Sequence, residues 1–258
     1  MNQAFKDHFS SVAGHYARSR PGYPGELFAW LAEVCGAREL VWDCGAGTGQ
    51  ASVGLADHFA RVWATDASAA QVAQATPHPG IVYRRAEAGA SGLETASVDL
   101  IVVAQALHWF DLEAFYAEAR RVLKPDGVLA VWSYGVLRVE GEAVNEVVQH
   151  FYHQEVGAFW PPERRHVEEG YRSLPFPFAA IPAPAFAMTA HWSLEQLLGY
   201  FSSWSATAEY RQQRGVDPVA RLRPRLLPLW GEAESQRRVD WPLSLRAGRV
   251  ESGETNGR

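Results

Sequence analysis

At 258 residues, of which 47% are hydrophobic and 21% charged, the chain has enough apolar material for a core of ordinary size and lacks the composition of a disordered protein. A formal net charge of −5 removes the electrostatic case for nucleic acid or an anionic membrane as partner, because both call for a concentrated basic surface, and leaves a small molecule as the expected one. The N-terminus has no apolar core of a signal peptide, no later stretch is long enough to cross a bilayer, and there are only two cysteines, Cys35 and Cys44; a reducing cytoplasmic compartment is expected.

In chain order, residues 40–42 (Leu-Val-Trp) read as a first strand that runs into a glycine turn, and residues 50–59, with Val53, Leu55, Ala56 and Phe59 apolar, read as a helix. Residues 62–65 form a second strand ending on Asp66. Ser68 caps the next helix, residues 77–80 break it, and residues 81–83 form strand three. The apolar run 99–104 predicts a strand buried at the centre of the sheet. Asp111 is placed to cap a helix with Leu112, Phe115, Ala119, Val122 and Leu123 at helical spacing, and Pro125-Asp126-Gly127 turns the chain into a strand over 128–132. Five βα units are thus legible, the pattern of a doubly wound α/β sheet. From about Gly135 prolines become dense, aromatics cluster and the alternation stops, as an insertion over the sheet would read. A further strand is predicted over 186–192, a helix after a capping box at Ser193 and Gln196, with Leu197, Leu198, Phe201 and Trp204 along it, and a last strand within 239–250.

Gly45-x-Gly47-x-Gly49, directly after a buried strand, lets backbone approach a ligand without Cβ interference, as a nucleotide-like cofactor requires. A dinucleotide site would want the pattern G-x-G-x-x-G, but its sixth position is Gln50, which argues against a nicotinamide dinucleotide. Asp43 precedes the turn and suits an ammonium group better than a pyrophosphate. Asp66 ends strand two, where a carboxylate can accept from both ribose hydroxyls, and Glu87 follows strand three at the adenine end. His108, after strand four, is either a general base or a packed corner beside Trp109. Tyr16 and Arg20 either fold over a cofactor or lie on a solvent-facing helix.

The segments 41–49, 64–66, 86–88, 105–110 (Gln-Ala-Leu-His-Trp-Phe) and 121–127 (Arg-Val-Leu-Lys-Pro-Asp-Gly) resemble successive motifs of the class I S-adenosylmethionine-dependent methyltransferases, in particular the methyltransferase type 11 group. Residues 16–24 and 191–196 extend the resemblance to relatives of trans-aconitate methyltransferase. The match is dense over roughly residues 5–135, and it is specific for the cofactor and silent about the acceptor. It implies a mostly parallel, seven-stranded Rossmann-like sheet with S-adenosylmethionine as cofactor and S-adenosylhomocysteine as product. By the same resemblance Asp43, Gly45, Ala46, Gly47 and Gly49 hold the methionine part, Asp66 and Ala67 the ribose, Glu87 or the backbone of Ala88 the adenine, and Gln105 and His108 lie near the departing methyl group. Arg85-Ala86 departs from the small or acidic residue that many members carry before the strand-three acid.

The implied organisation is an N-terminal helical cap (1–35), a cofactor-binding core (36–135), an acceptor-binding helical lid plus C-terminal strands of the same sheet (136–250) and a disordered tail (251–258). Trp109, Trp160 and Trp204, with Trp192, Phe176 and Phe178, would give the acceptor pocket aromatic walls. No Asn/Asp-Pro-Pro-aromatic sequence follows strand four, which disfavours methylation of a nucleic-acid base. A metal site at His150-x-x-His153 is not expected, because no third ligand is spaced with the pair and Glu155 lies off that helical face. Arg221, Arg223 and Arg225 read as a solvated face. The rival readings are a nicotinamide-dependent oxidoreductase and a non-catalytic sensor or scaffold that binds the cofactor. The acceptor, most simply a small carboxylate, and the oligomeric state are not specified by sequence.

Overall fold

The computed structural model describes residues 21–232 and 234–250, so the expectations for Tyr16, Arg20 and the tail lie outside the described residues. The chain forms two compact units. The core unit holds Tyr23–Tyr134, Glu169–Phe186 and residues 243–250; the second unit holds Gly135–Glu168 and Ala187–Pro242.

The core unit begins with helix α1 (Gly25–Val34), followed by β1 (Leu40–Cys44), α2 (Gln50–Ala56), β2 (Arg61–Asp66), α3 (Ala69–Ala73), β3 (Ile81–Arg85), β4 (Val98–Ala104), α4 (Leu112–Val122) and β5 (Leu123–Tyr134). Strands β3, β2, β1, β4 and β5 lie side by side in parallel. Period-two alternation assigns the faces. Val41, Leu100 and Val128 are register partners and join Leu27, Leu31 and Leu55 of α1 and α2 in one buried cluster. Trp42 points to the opposite face, where its ring stands 6.2 Å from that of Phe115 on α4. Helices therefore cover both faces, the doubly wound arrangement. Ser68 and Asp111 cap α3 and α4 as the sequence predicts, by accepting from Gln71 N and Ala114 N.

Later in the chain come β6 (Arg138–Val139), α5 (Glu142–His150), a π turn (Phe151–Glu155), α6 (Arg164–Glu168), β7 (Ala179–Ile181), β8 (Ala187–Trp192), α7 (Leu194–Ser202), α8 (Ser205–Arg214), α9 (Pro218–Trp230) and β9 (Arg237–Arg249). The second half of β9 runs antiparallel to β5 on one side and to β7 on the other, which brings the core sheet to seven strands among the described residues. The first half of β9 belongs to the second unit, where it pairs antiparallel with β6 and β8.

Several expectations are corrected. The helix after the glycine turn ends at Ala56, not at residue 59. The Pro125-Asp126-Gly127 turn is a bulge inside β5, set between the Val98–Leu123 and Leu100–Val128 pairings, with Asp126 in the left-handed region at φ 65°. The region expected to be a helical lid contains its own three-stranded antiparallel ribbon. There β8 joins the first half of β9, because Met188, Trp192, Val239 and Trp241 alternate into a buried row.

Candidate active site

The glycine turn joins β1 to α2. Gly45, Gly47 and Gly49 all have positive φ, at 73°, 56° and 89°. A Cβ on Gly45 would stand 2.6 Å from the Cβ of Ala106, so the turn can pass the strand-four loop only without a side chain. Among the described residues a Cβ on Gly47 would meet nothing nearer than Gln71 Oε1 at 3.8 Å, which leaves a cradle over that residue. The N–H groups of Gly45 and Ala46 both donate to the carbonyl of Thr65, at 2.8 and 2.9 Å, which fixes the turn to the end of β2.

Asp43 sits under this turn and is fully buried. Its Oδ2 accepts from Ser52 Oγ on α2 at 2.5 Å, and its Oδ1 has no hydrogen-bond partner among the described residues. Burial pushes its carboxyl up to about 7 from an ordinary 3.8, against the lowering effect of Ser52 and with a small further rise from the charge of Asp66. Asp66, at the end of β2, accepts from Gly47 N at 2.9 Å and from Ser68 N at 2.8 Å. The Ala67 carbonyl accepts from Arg85 Nε at 3.2 Å, and the N–H of Ala86 donates to the Asp66 carbonyl, so the β2 and β3 ends are tied together. Glu87 is exposed and Ala88 half-buried just beyond. The structure thus brings Asp43, the three glycines and Asp66 to one end of the parallel strands, where open α/β sheets bind ligands.

After β4, Gln105 adopts φ 60°, a conformation rare for a non-glycine residue. Its side-chain oxygen Oε1 accepts from Tyr134 N at 2.9 Å and its backbone N–H donates to the Trp132 carbonyl, so both side chain and backbone are anchored to β5. His108 lies on a single 3-10 turn, Leu107–Trp109, with its ring 4.6 Å from that of Trp109. Its Nδ1 is 3.0 Å from the hydroxyl of Tyr171. Sequence reasoning missed Tyr171, because nothing local marks a tyrosine 63 residues downstream as a partner of this histidine.

The aromatic residues expected around an acceptor fall in both units. In the second unit Trp160 and Trp204 have ring centroids 5.4 Å apart and both approach Tyr152. Trp204 is buried among Phe151, Tyr200 and Phe201, whereas Trp160 lines a cleft with Tyr152, Arg164 and Glu168, and the Arg164 guanidinium lies 4.8 Å from the Trp160 ring. Trp192 packs on Trp241 in the same unit. Phe176 and Phe178 belong to the core unit, where Arg246 and Arg120 stand over their rings. The expectation that Glu155 lies off the His150 face is corrected by the π turn: widening the helix brings residue i+5 over residue i, and Glu155 Oε1 stands 3.7 Å from His150 Nε2. Arg225 pairs with Glu155, and Arg223 with Glu195, on a largely solvated face. Among the described residues no helix is long and apolar enough to cross a membrane.

A doubly wound sheet with a glycine turn between β1 and α2, and with acids under that turn and at the end of β2, defines a nucleotide-type cofactor site of the class used by methyltransferases. The chain belongs to the class I methyltransferase family. The methyltransferase-domain family matches residues 42–131. A Dictyostelium discoideum protein named as a methyltransferase is 32% identical over 247 residues, 93% of this chain and 94% of its own. A solved Anaeromyxobacter dehalogenans structure described as a type II methyltransferase is 49% identical, with a TM-score of 0.86 over 89% of this chain and 97% of its own. A Saccharomyces cerevisiae protein named as S-adenosylmethionine-dependent is 30% identical over 131 residues, 47% of this chain and 45% of its own.

The residues present fit S-adenosylmethionine. A buried carboxylate with one oxygen unpartnered suits the ammonium of its methionine part, the space over Gly47 admits backbone approach, and Asp66 stands where ribose hydroxyls would be accepted.

Proposed function

We propose that the protein methylates a small organic acid at a carboxylate oxygen, with S-adenosylmethionine as methyl donor. The observation that carries the cofactor is Asp43: an ionisable group this deeply buried with an unpartnered oxygen is costly unless a cation completes it. In this reading Asp43 receives the ammonium group, Asp66 and the adjoining Ala67 hold the ribose, and Glu87 or the Ala88 backbone meets the adenine. Gln105, braced on β5, and the pair His108–Trp109 border the reacting end.

The cofactor supplies an electrophilic sulfonium methyl when bound. A carboxylate is already a nucleophile at neutral pH, so the protein has to orient it and exclude water, with no proton to remove. The likeness of residues 16–24 and 191–196 to relatives of trans-aconitate methyltransferase supports an acid as the acceptor. Two buried free thiols, Cys35 and Cys44, suit a reducing cytoplasm. A nicotinamide enzyme is not favoured, because Gln50 replaces the third glycine of a dinucleotide turn.

The test is a panel of small carboxylic acids, phenols and thiols incubated with radiolabelled S-adenosylmethionine. Alkali-labile label, as a methyl ester gives, is expected from the acids. Turnover confined to phenols or thiols would overturn the acceptor assignment, and failure of the purified protein to bind S-adenosylhomocysteine in calorimetry would overturn the cofactor assignment.

A further inference from the structure

Asp43, Ala64 and Tyr83 are register partners on β1, β2 and β3, so their side chains leave the same face of the sheet in one row. Ala64, in the middle, is fully buried and carries only a methyl group, which lets the longer Tyr83 side chain reach past it. Helix α2 covers this row. Gly49, its N-cap, and Ser52 are three residues apart and share a face of the helix. A Cβ on Gly49 would collide with the Tyr83 hydroxyl, so the tyrosine takes the place that a side chain at the cap would fill. Ser52 is fully buried, and its hydroxyl donates to Asp43 Oδ2 at 2.5 Å. Two polar atoms of the cluster are buried without a hydrogen-bond partner among the described residues, Asp43 Oδ1 and the Tyr83 hydroxyl. The Tyr83 and Ser52 hydroxyls fall short of a formed bond, yet they are close enough to act on one another. Burial first and then the Asp43 charge push the Tyr83 phenol up from its ordinary pKa, and Ser52 pulls it down. Helix α2 carries no charged residue. The titratable groups that act on Asp43, or on which it acts, are Asp66 at the end of β2, Cys44 next along β1 and Tyr83 on β3.

We infer that Tyr83 is a positioning residue for the cofactor: its hydroxyl donates to Ser52 Oγ and commits the Ser52 proton to Asp43, so that the carboxylate stays an anion with Oδ1 left for the ammonium of the methionine part. The direction of this relay follows from what each group can do. Ser52 has one proton, and once that proton is given to Asp43 its oxygen can only accept. An ionised carboxylate accepts and never donates, and a bond to it is stronger than one between neutral groups, which sets the order Tyr83 to Ser52 to Asp43. Each donor in such a chain strengthens the next, so the phenol acts on the acid without touching it. A protonated Asp43 gains less from the same chain, and the relay therefore offsets part of the burial that disfavours the Asp43 anion. Closing the bond also gives the buried phenol hydroxyl the partner it lacks. The inference deepens the cofactor reading above and rests on it.

The test combines a titration with binding, both on the full chain. Carboxyl ¹³C titration of ¹³C-aspartate-labelled protein, with Asp43 assigned by the signal lost in Asp43→Asn, needs no cofactor. The Asp43 midpoint, at about 7 in the wild type, should move upward in Tyr83→Phe, which keeps the ring and removes one oxygen. The movement should vanish when the same change is made in a Ser52→Ala background, because the relay is then already broken. Calorimetry with S-adenosylhomocysteine reads the consequence. The ammonium needs an ionised partner, so Tyr83→Phe should weaken binding about fivefold at about pH 6, the scale of one lost neutral hydrogen bond, and the two affinities should converge by about pH 8.5. An unmoved Asp43 midpoint in folded Tyr83→Phe overturns the inference. So does a movement of the same size without the Ser52 hydroxyl, and so does a loss of affinity equal at both pH values, which is what a packing role alone would give. A wild type that does not bind S-adenosylhomocysteine overturns the cofactor reading and the positioning role with it, an outcome that the titration tells apart from failure of the relay.

Discussion

Asp43 is a carboxyl group held where its charge is poorly solvated, and this has consequences that can be measured. Its folded pKa of about 7 lies above its ordinary 3.8, so between those values the native state binds a proton that the unfolded state has released. The unfolding free energy therefore falls as the pH rises through that window, and the full penalty is present above about 7. Asp43→Asn should flatten this profile and raise stability at pH ~8 by ~1–3 kcal/mol in urea unfolding, while leaving stability near pH 4 almost unchanged. A bound ammonium works in the opposite sense. Calorimetry of S-adenosylhomocysteine binding near pH 6, in buffers of different ionisation enthalpy, should show proton release by the wild type and none by Asp43→Asn. The glycines differ among themselves. Gly45→Ala drives a Cβ to 2.6 Å from Ala106 at a φ of 73° and should cost ~2–4 kcal/mol of stability. Gly47→Ala has room and should cost only about 1 kcal/mol, yet it should weaken S-adenosylhomocysteine binding because the added methyl enters the cradle. Melting curves and binding isotherms on the two variants separate these effects.

At the scale of elements, α4 is secured by a single acid. Glu118 receives two bonds of 2.7 Å from Arg121, and it accepts from Ser91 N at 2.9 Å and from Ser91 Oγ at 2.5 Å, which fastens the helix to the segment after β3. The Arg121 guanidinium foremost, then the Ser91 bonds, hold its carboxyl down to about 2 in spite of burial. Because the folded pKa is depressed, the contribution is complete above about 4.5 and is lost as the pH falls through about 2. Glu118→Gln should destabilise by ~1–3 kcal/mol at neutral pH, with Arg121 partly exposed and its attraction screened, and the gap should close as the pH is lowered. Urea midpoints across that range check it. The elements that sequence located, β1 to β5 and the glycine turn, are those whose evidence is local: an apolar run, a turn residue, a cap three residues from its acceptor. What it missed depends on distant partners. β6 and β7 are two and three residues long and carry no pattern of their own. Helix α9 continues through Pro224 and Pro228, which local rules would read as breaks. The π turn at Phe151 alters which residues share a face, and the placement of Tyr171 requires Arg246, 75 residues away. For the candidate site, Asp43, the glycines and Asp66 were legible because strand ends fix them. The sequence pattern makes Trp204 a wall residue, but an aromatic residue at helical spacing is equally a core residue, and here it is buried.

At the scale of the whole molecule, β9 is one uninterrupted strand of 13 residues that completes two pairings, with β6 and β8 over its first half and with β5 and β7 over its second. Within the core unit Arg249 adds side-chain bonds to the carbonyls of Asp126 and Val34. A chain cut before Arg237 would retain the whole segment matched by the methyltransferase family, residues 42–131, and every proposed cofactor ligand. It should nonetheless fail to give a cooperative unfolding transition, because β5, β6, β7 and β8 all lose a hydrogen-bonded neighbour. Near-ultraviolet circular dichroism and urea titration of residues 1–236 would show this, and a sharp native-like transition would contradict it.

The same strand sets a timetable for biogenesis. Its partners β5 to β8 leave the ribosome before it does, and until residues 237–249 follow, the nascent polypeptide presents an unpaired edge at β5, next to the most apolar part of the sheet. Assembly must therefore wait until translation has passed those residues, and through that interval the exposed edge is a substrate for chaperones or for misassociation with neighbouring nascent chains.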